Sequence, residues 1–170
     1  LSIKGNKFWV IDDSYNSNPA SLSASLKRLE EIKNKGKKIV ILGDMLELGT
    51  KSLELHQGFK GQIETSQINV LFTTGQYMKD LYKIIDNDFK KYHDDNLDSL
   101  VIKLKALIEK DDVVLIKGSN SMNLKKIINN NYKKYQDDNL DSLVIKLKAL
   151  IEKDDVVLIK GSNSMNLKKI

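Results

Sequence analysis

Short runs of apolar residues alternate with longer segments of helical periodicity along the first 131 residues of this chain. The runs lie at residues 8–11, 38–42, 70–72 and 113–116. Strands without regular polar positions are typical of sheets buried on both faces, and such sheets are mostly parallel because helices cover both sides. The order of the segments therefore predicts an α/β fold, a Rossmann-like three-layer sandwich with a mostly parallel sheet.

The segments between the runs carry helix signals. Residues 97–108 are the clearest case, since their apolar side chains recur every three or four residues. After the first run, Asn18 is a candidate N-cap, Pro19 fits a first helical turn, and Gly36 is expected to end the helix. Further helices are predicted at residues 52–65, at 77–85 and from about 122, with a weak strand at 89–92.

Residues 90–127 recur almost unchanged as residues 133–170. Of the 38 aligned positions only one differs, with His93 in the first copy and Gln136 in the second. Solenoid proteins stack at least three repeats. Two near-identical copies indicate a tandem duplication instead.

We therefore predict that residues 1–131 form one domain and that residues 132–170, which hold the near-identical second copy, pack at its periphery. Two features indicate that the first copy of the repeat, and not the second, occupies the sheet. Its connection to the preceding strands is shorter, although loop length costs only ~0.6 kcal/mol per doubling. Its last helix also continues past Ile127, whereas the second copy stops at Ile170.

Composition excludes several kinds of site and partner. The chain contains no cysteine, so disulfides and cysteine-based zinc sites are excluded. His56 and His93 are far apart and show no ligand-like spacing, so no metal site is predicted. The net charge is +5, but the lysines alternate with acids along the whole chain. This pattern is typical of a solvated surface, and no nucleic-acid partner is expected.

The sequence also bears on localisation and assembly. No apolar run approaches the ~20 residues of a membrane span. No signal peptide is visible either, so we expect a cytoplasmic protein without a membrane partner. We also expect a monomer. Because residue 1 is Leu rather than Met, we expect a fragment or a processed form.

Polar segments follow the four predicted strands, and three of these segments contain glycine. They span residues 12–19, 43–49, 73–75 and 117–122. Ligands of open parallel sheets bind beyond the carboxyl ends of the strands. We therefore predict that the four segments converge on one edge of the sheet, called the rim below, and form a ligand site.

Rim residues after the first strand have a chemical use and, in one case, a structural alternative. The Asp13 carboxylate can accept hydrogen bonds from ribose hydroxyls. Asn16 offers an amide near a helix N-terminus, where anions are stabilised. Asn18 offers the same group or simply caps the helix. Tyr15 offers a flat apolar face with a polar tip.

The other rim residues are open to more than one interpretation. Gly43 and Gly118 allow either a close approach to a ligand or a tight turn. Lys117 can meet a phosphate or a carboxylate, or point to solvent. His56 lies on the apolar face of a predicted helix, where packing is favoured over a catalytic role.

Three motifs and one histidine occur in a definite order along the chain. They are IDDSYNSNP at residues 11–19, LGDMLELG at 42–49, His56 in the following helix, and VLIKGSNSM at 114–122. Together they resemble the C-terminal domain of the Mur ligase family, in matching order and spacing over residues 1–131. The resemblance implies the fold of that domain.

The same resemblance implies a ligase of peptidoglycan (cell wall) biosynthesis, in which this domain closes over ATP and substrate. The family uses ATP with Mg²⁺ to activate a carboxylate of a UDP-linked peptide as an acyl phosphate, which an amine then attacks. The implied partners are UDP-N-acetylmuramoyl-tripeptide and D-alanyl-D-alanine, held through other domains. ATP and Mg²⁺ are implied for the complete enzyme, and neither is expected to be held by this chain alone.

The motif match also implies roles for individual residues. Those on the nucleotide side are Asp13, which corresponds to the family aspartate near the ribose, and Tyr15, Asn16 and Asn18. Those that would face the closing substrate cleft are Gly43, Asp44, Glu47, Gly118 and Ser119. No catalytic residue is implied in this chain.

The chain departs from the complete family pattern. It contains no G-x-x-x-x-G-K-[ST] phosphate loop, and the central domain that carries the magnesium-binding acids is absent. We therefore predict no ligase activity from this chain alone. The alternatives are a non-catalytic nucleotide-binding module and the remnant of a split gene.

Overall fold

The computed structural model describes residues 2–3, 6–86 and 88–129 of the chain. The strands in these ranges are Ser2–Ile3 (β1), Asn6–Lys7 (β2), Trp9–Asp13 (β3), Lys38–Gly43 (β4), Val70–Thr74 (β5), Lys90–His93 (β6) and Val113–Lys117 (β7). β1 and β2 form a short antiparallel pair. The others form a parallel sheet in the order β3–β7–β4–β5–β6. This arrangement confirms the predicted α/β class with a mostly parallel sheet.

Helices cover both faces of the sheet. They are Pro19–Glu31 (α1), Ser52–Gln57 (α2), Lys60–Thr65 (α3), Gln76–Ile84 (α4), Leu97–Leu107 (α5) and Lys125–Asn129 (α6), with 3₁₀ turns at Gly49–Lys51 and Asn120–Met122. Apolar side chains of α1, α3 and α4 pack in one core cluster, and those of α5 and α6 pack in a second. The result is the predicted three-layer sandwich. In the described part of the chain, no helix combines the length and the apolar character that crossing a membrane requires.

Strand β4 shows why the apolar runs lack polar positions. Val40 and Leu42 pack into one core cluster, whereas Ile39 and Ile41 pack into the other. All four side chains are fully buried. Because alternate side chains of a strand point to opposite faces, a strand covered on both sides needs apolar residues at every position.

Helix α1 begins as predicted and ends earlier than predicted. Asn18 is its N-cap and accepts a hydrogen bond from Ser21 N–H, while the Ser21 hydroxyl accepts one from Asn18 N–H. Pro19 occupies the first turn. The helix stops at Glu31, before an extended residue at position 32, so the prediction that Gly36 ends it is wrong.

Two other predicted elements differ from the structure. The first apolar run was expected to be buried, but Trp9 in β3 is 53% exposed. The reason is that β3 is the outermost strand of the sheet and has a neighbouring strand on one side only. The helix predicted at residues 52–65 is divided into α2 and α3 at Gly58, although Gly58 N–H still donates to the carbonyl of Glu54.

The duplicated segment is described only in its first copy. Strand β7 of that copy lies between β3 and β4 and pairs with both. Residues 132–170, which were predicted to pack at the periphery, lie outside the described residues.

Candidate functional site

The loops after β4 and β7 meet at the rim, as predicted. Ser119 N–H donates to the carbonyl of Asp44 at 3.0 Å. The Ser119 hydroxyl accepts a hydrogen bond from Leu46 N–H at 2.8 Å. These two bonds hold residues 43–49 against the end of β7, so the side chains after the two central strands share one edge of the domain.

Lys117 joins the loop after β3 to the same edge. Its side chain is buried, and its ammonium donates to the backbone carbonyls of Asp13 and Asn16. It also lies 3.2 Å from Oδ2 of the Asp13 carboxylate. The buried Lys117 side chain therefore holds residues 12–18 in place and does not point to solvent.

The predicted nucleotide-side residues lie together on the loop after β3. The Asp13 carboxylate is 43% exposed and accepts a hydrogen bond from the Ser25 hydroxyl at 2.5 Å. The Tyr15 ring is 67% exposed, with Lys125 Nζ 5.4 Å from its centroid. Asn18 uses its side-chain oxygen to cap α1, which was the structural alternative. Asp13 and Tyr15 therefore both keep exposed surface on this loop.

The two rim glycines, Gly43 and Gly118, lie close to each other and to the Leu124 side chain. A Cβ atom on Gly118 would lie 3.1 Å from Gly43 Cα and 2.6 Å from Leu124 Cδ1. A Cβ atom on Gly43 would lie 2.9 Å from the same Leu124 methyl group. A side chain at Gly43 or Gly118 would first meet the Leu124 methyl group, so both glycines lie in close packing inside the domain.

Asp44 caps a neighbouring helix. Its buried carboxylate accepts hydrogen bonds from Met78 N–H at 2.8 Å and from Tyr77 N–H at 3.3 Å. Both amides belong to the first turn of α4, whose N-terminus attracts negative charge. Asp44 was predicted to face the substrate cleft, but its charge is directed into the protein.

His56 is a packing residue, as expected. The ring is fully buried, and its Nδ1 lies 2.6 Å from the carbonyl of Ser52, which can only accept. Nδ1 therefore carries the proton, and Nε2 accepts a hydrogen bond from Met45 N–H at 2.9 Å. The neutral ring also stacks on Tyr77 at 5.1 Å. His56 thereby fixes the start of the loop after β4 from inside the core.

Glu47 has the exposed side chain of this loop. Its φ is +67°, a left-handed backbone conformation, and Gly49 nearby has φ +60°. The side chain follows the anchored residues Met45 and Leu46 directly. Glu47 is therefore presented at the rim by a loop whose preceding backbone is fixed.

The rim carries exposed side chains, among them Tyr15 and Glu47. A cavity of about 340 Å³ lies at the opposite edge of the sheet, beside Val70 and Lys90, which begin β5 and β6. Ligands of open parallel sheets bind beyond the carboxyl ends of the strands, so this cavity lies at the wrong end for such a ligand.

Residues 1–120 match the family model described as Mur ligase, glutamate ligase domain. The chain belongs to the Mur ligase family. This match confirms the resemblance that the four sequence features carry.

Curated relatives of this Mur ligase domain bear the name UDP-N-acetylmuramoyl-tripeptide–D-alanyl-D-alanine ligase. The protein from Buchnera aphidicola subsp. Acyrthosiphon pisum is 36% identical over 121 residues, which cover 71% of this chain and 26% of the relative. The protein from Bacillus subtilis is 31% identical over 117 residues, which cover 66% of this chain and 25% of the relative. The chain thus spans about a quarter of the length of these relatives.

A solved structure supports the fold of this Mur ligase domain. The MurF ligase from Thermotoga maritima in complex with ADP superposes with a TM-score of 0.62 and 23% sequence identity. The match covers 76% of this chain and 28% of that chain.

The described part of this Mur ligase domain does not suit a magnesium ion. No group of three or more histidine and acidic side chains in the described ranges could hold a metal. Asp44, an acid of the loop after β4, already accepts two backbone hydrogen bonds.

Sequence reasoning missed Ser25, which bonds to the Asp13 carboxylate. The signal was the helical spacing of Asn18, Ser21 and Ser25, which places three small polar residues on one side of α1. This polar stripe begins at the rim.

The loop after β6 leads to a prediction about pH. Hydrogen bonds from Lys103 and Ser99 lower the pKa of Asp94 from an ordinary 3.8 to about 2. Because the folded-state pKa is the lower one, the carboxylate stabilises the fold fully above about pH 4, and this stabilisation is lost as the pH falls toward 2. We expect Asp94→Asn to reduce the free energy of unfolding at pH 7 by on the order of 1 kcal/mol, since the group is partly solvated. Urea unfolding at pH 7 and near pH 2.5 checks this, and an equal deficit at both pH values would contradict it.

Proposed function

We propose that this chain is the C-terminal domain of an ATP-dependent cytoplasmic ligase that adds D-alanyl-D-alanine to UDP-N-acetylmuramoyl-tripeptide in peptidoglycan biosynthesis. The domain closes over the nucleotide and the substrates that other domains hold. The observation that carries the proposal is that residues 12–18 and 43–49 lie at the same rim. Lys117 holds the first of these loops and Ser119 holds the second. The names of the curated relatives support the choice of substrates.

The loops after β3 and β4 have different roles in this proposal. The loop after β3 offers Asp13 to ribose hydroxyls and the Tyr15 ring to a base or sugar face. The loop after β4 presents Glu47 to the incoming dipeptide. Because β7 separates β3 from β4, the ends of these strands are two strand spacings apart, about 10 Å. That separation lets a nucleotide and an amino component lie side by side on the rim.

This chain is inactive without the remaining domains. Transfer of a phosphoryl group depends on a metal ion and positive charge placed around the γ-phosphate. The sequence has no G-x-x-x-x-G-K-[ST] loop, and the described residues hold no candidate metal cluster. ATP and Mg²⁺ are thus bound mainly by other domains, and the present domain contributes by covering the nucleotide and excluding water.

Reconstitution tests the proposal. The chain is mixed with the N-terminal and central domains of the Bacillus subtilis relative, and ADP release is measured with UDP-N-acetylmuramoyl-tripeptide, with and without D-alanyl-D-alanine. We expect dipeptide-dependent ADP release from the mixture and none from either part alone. If release fails in the mixture while the complete relative is active under the same conditions, the proposal is wrong.

A non-catalytic nucleotide-binding module is the second candidate. It is favoured by the accessibility of Asp13 and Tyr15 without any other domain. Calorimetry with ADP and ATP distinguishes the cases. Nucleotide binding by the chain together with an inactive mixture supports such a module. If the chain neither binds nucleotide nor restores activity, it is the remnant of a split gene.

The proposed domain unit ends at residue 131, with the second copy at its periphery. Hydrogen exchange tests this order, because amides in a central strand exchange slowly and peripheral ones exchange quickly. We expect stronger protection for residues 113–116 than for the identical residues 156–159. The reverse order would show that the second copy takes the central position in the sheet.

A further inference from the structure

Glu47 has a backbone conformation that does not suit its side chain. The non-glycine residues with positive φ in the described ranges are Glu47 at +67°, Asp111 at +65° and Asn123 at +54°. Asp and Asn adopt this conformation more readily because their short polar side chains bond to the local backbone. Glu has no such compensation. Residues held in disfavoured backbone regions concentrate at functional sites, so Glu47 needs an explanation.

The neighbours of Glu47 prevent its backbone from relaxing. Met45 N–H is bonded to His56 in the core, and Leu46 N–H is bonded to the buried Ser119. The carbonyl of Asp44 accepts from Ser119 N–H. Each of these bonds would have to lengthen or break if the loop turned to give Glu47 a negative φ. The fold therefore holds an exposed carboxylate at the centre of the rim.

Other rim carboxylates already have partners. Asp13 is paired with Lys117 and Ser25, and Asp44 accepts two amides of α4. Asp94 is paired with Lys103 and Ser99, while Asp95 accepts from Gly75 N–H. Among the described residues, none forms a hydrogen bond or an ion pair with the Glu47 carboxylate. Glu47 is thus the rim acid available to a cationic ligand.

We infer that the Glu47 carboxylate binds the ammonium group of the incoming amino component. This inference rests on the proposed function, in which that component is a dipeptide with a free α-amino group. An ammonium that approaches the rim needs an anionic partner, and Glu47 offers one without losing an existing bond. Its position after β4, two strands from the nucleotide loop, separates the amine from the ribose contacts on Asp13. Glu47 acts here as a substrate-binding residue.

The closing experiment uses the reconstituted mixture with the complete chain. Glu47→Gln keeps the size of the side chain and removes its charge, and Glu54→Gln makes the same change at an exposed position on α2. We expect Glu47→Gln to raise the KM for D-alanyl-D-alanine at least tenfold and to leave the KM for ATP unchanged. Glu54→Gln should change neither constant. An unchanged dipeptide KM for Glu47→Gln, in a mixture where the parent chain is active, overturns the inference and leaves the proposed function standing. An inactive parent chain overturns the proposed function and this inference with it.

A stability measurement separates binding from a structural role. Asn tolerates a positive φ better than Glu, so Glu47→Asn should unfold at the parent Tm or about 2 to 4 °C above it. The same variant should show the raised dipeptide KM. If Glu47→Asn and Glu47→Gln instead both lower Tm by several degrees, the side chain stabilises the loop and the inference is wrong.

Discussion

Replacing Gly36 with alanine is expected to lower the free energy of unfolding by about 3 kcal/mol, the upper end of the usual cost of overpacking. A Cβ atom at this position would lie 2.4 to 2.5 Å from the backbone of Asp111 and Asp112. Neither segment can easily move. Asn34 donates to the carbonyls of Gly36 and Asp111, and Lys37 N–H donates to the Asp112 carboxylate at 2.6 Å.

Gly61→Ala is the matched control for Gly36→Ala. Gly61 lies near the start of α3, and no atom would come within 4 Å of its added Cβ. Because alanine favours helix over glycine by up to about 1 kcal/mol, this variant should be as stable as the parent or slightly more stable. Urea unfolding of the three proteins checks both expectations. Equal stability of the Gly36→Ala variant and the parent would mean that the two backbone segments are farther apart than described.

Replacing Asp44 with alanine is the second change with a large expected effect, a loss of about 3 kcal/mol. Hydrogen bonds to a charged acceptor contribute roughly 1.5 to 3 kcal/mol, and an amide that loses its partner in a buried place keeps the full desolvation cost. The variant leaves Met78 N–H and Tyr77 N–H without their acceptor. It also removes a negative charge from the N-terminus of α4.

The comparison with Asp44→Asn makes the second prediction specific. The asparagine oxygen can still accept from Met78 N–H, so the loss should be nearer 1 kcal/mol. Urea unfolding measures both variants, and hydrogen exchange at Met78 should accelerate most in Asp44→Ala. If Asp44→Ala is as stable as the parent but raises the KM for a substrate in the reconstituted enzyme, Asp44 is a substrate contact, and the helix-cap interpretation is wrong.

Local sequence was sufficient for the parts of the site that depend on strand ends. The apolar runs at β4, β5 and β7 located the central strands, and parallel strands bring their carboxyl ends to one edge. Asp13, Glu47 and Ser119 were therefore expected on the same rim before any coordinates. The cap of α1 by Asn18 was also readable, because its donors lie within one helical turn.

Local sequence patterns could not predict contacts between residues that are far apart in the chain. Lys117 was open to three interpretations, because its partners Asp13 and Asn16 precede it by 104 and 101 positions. His56 was placed on an apolar face, but only the folded loop shows that Met45 N–H and the carbonyl of Ser52 satisfy both ring nitrogens.

The sequence by itself determined the α/β class, the parallel sheet and the edge on which the chemistry collects. Each of these follows from a periodicity that a few neighbouring residues carry, since a strand or helix exposes its burial pattern locally. The tertiary structure alone decided which polar groups on that edge remain available to a ligand. Asp44 and Lys117 are used internally, and Glu47 remains accessible, because hydrogen bonding and packing are satisfied by whichever groups the fold brings together.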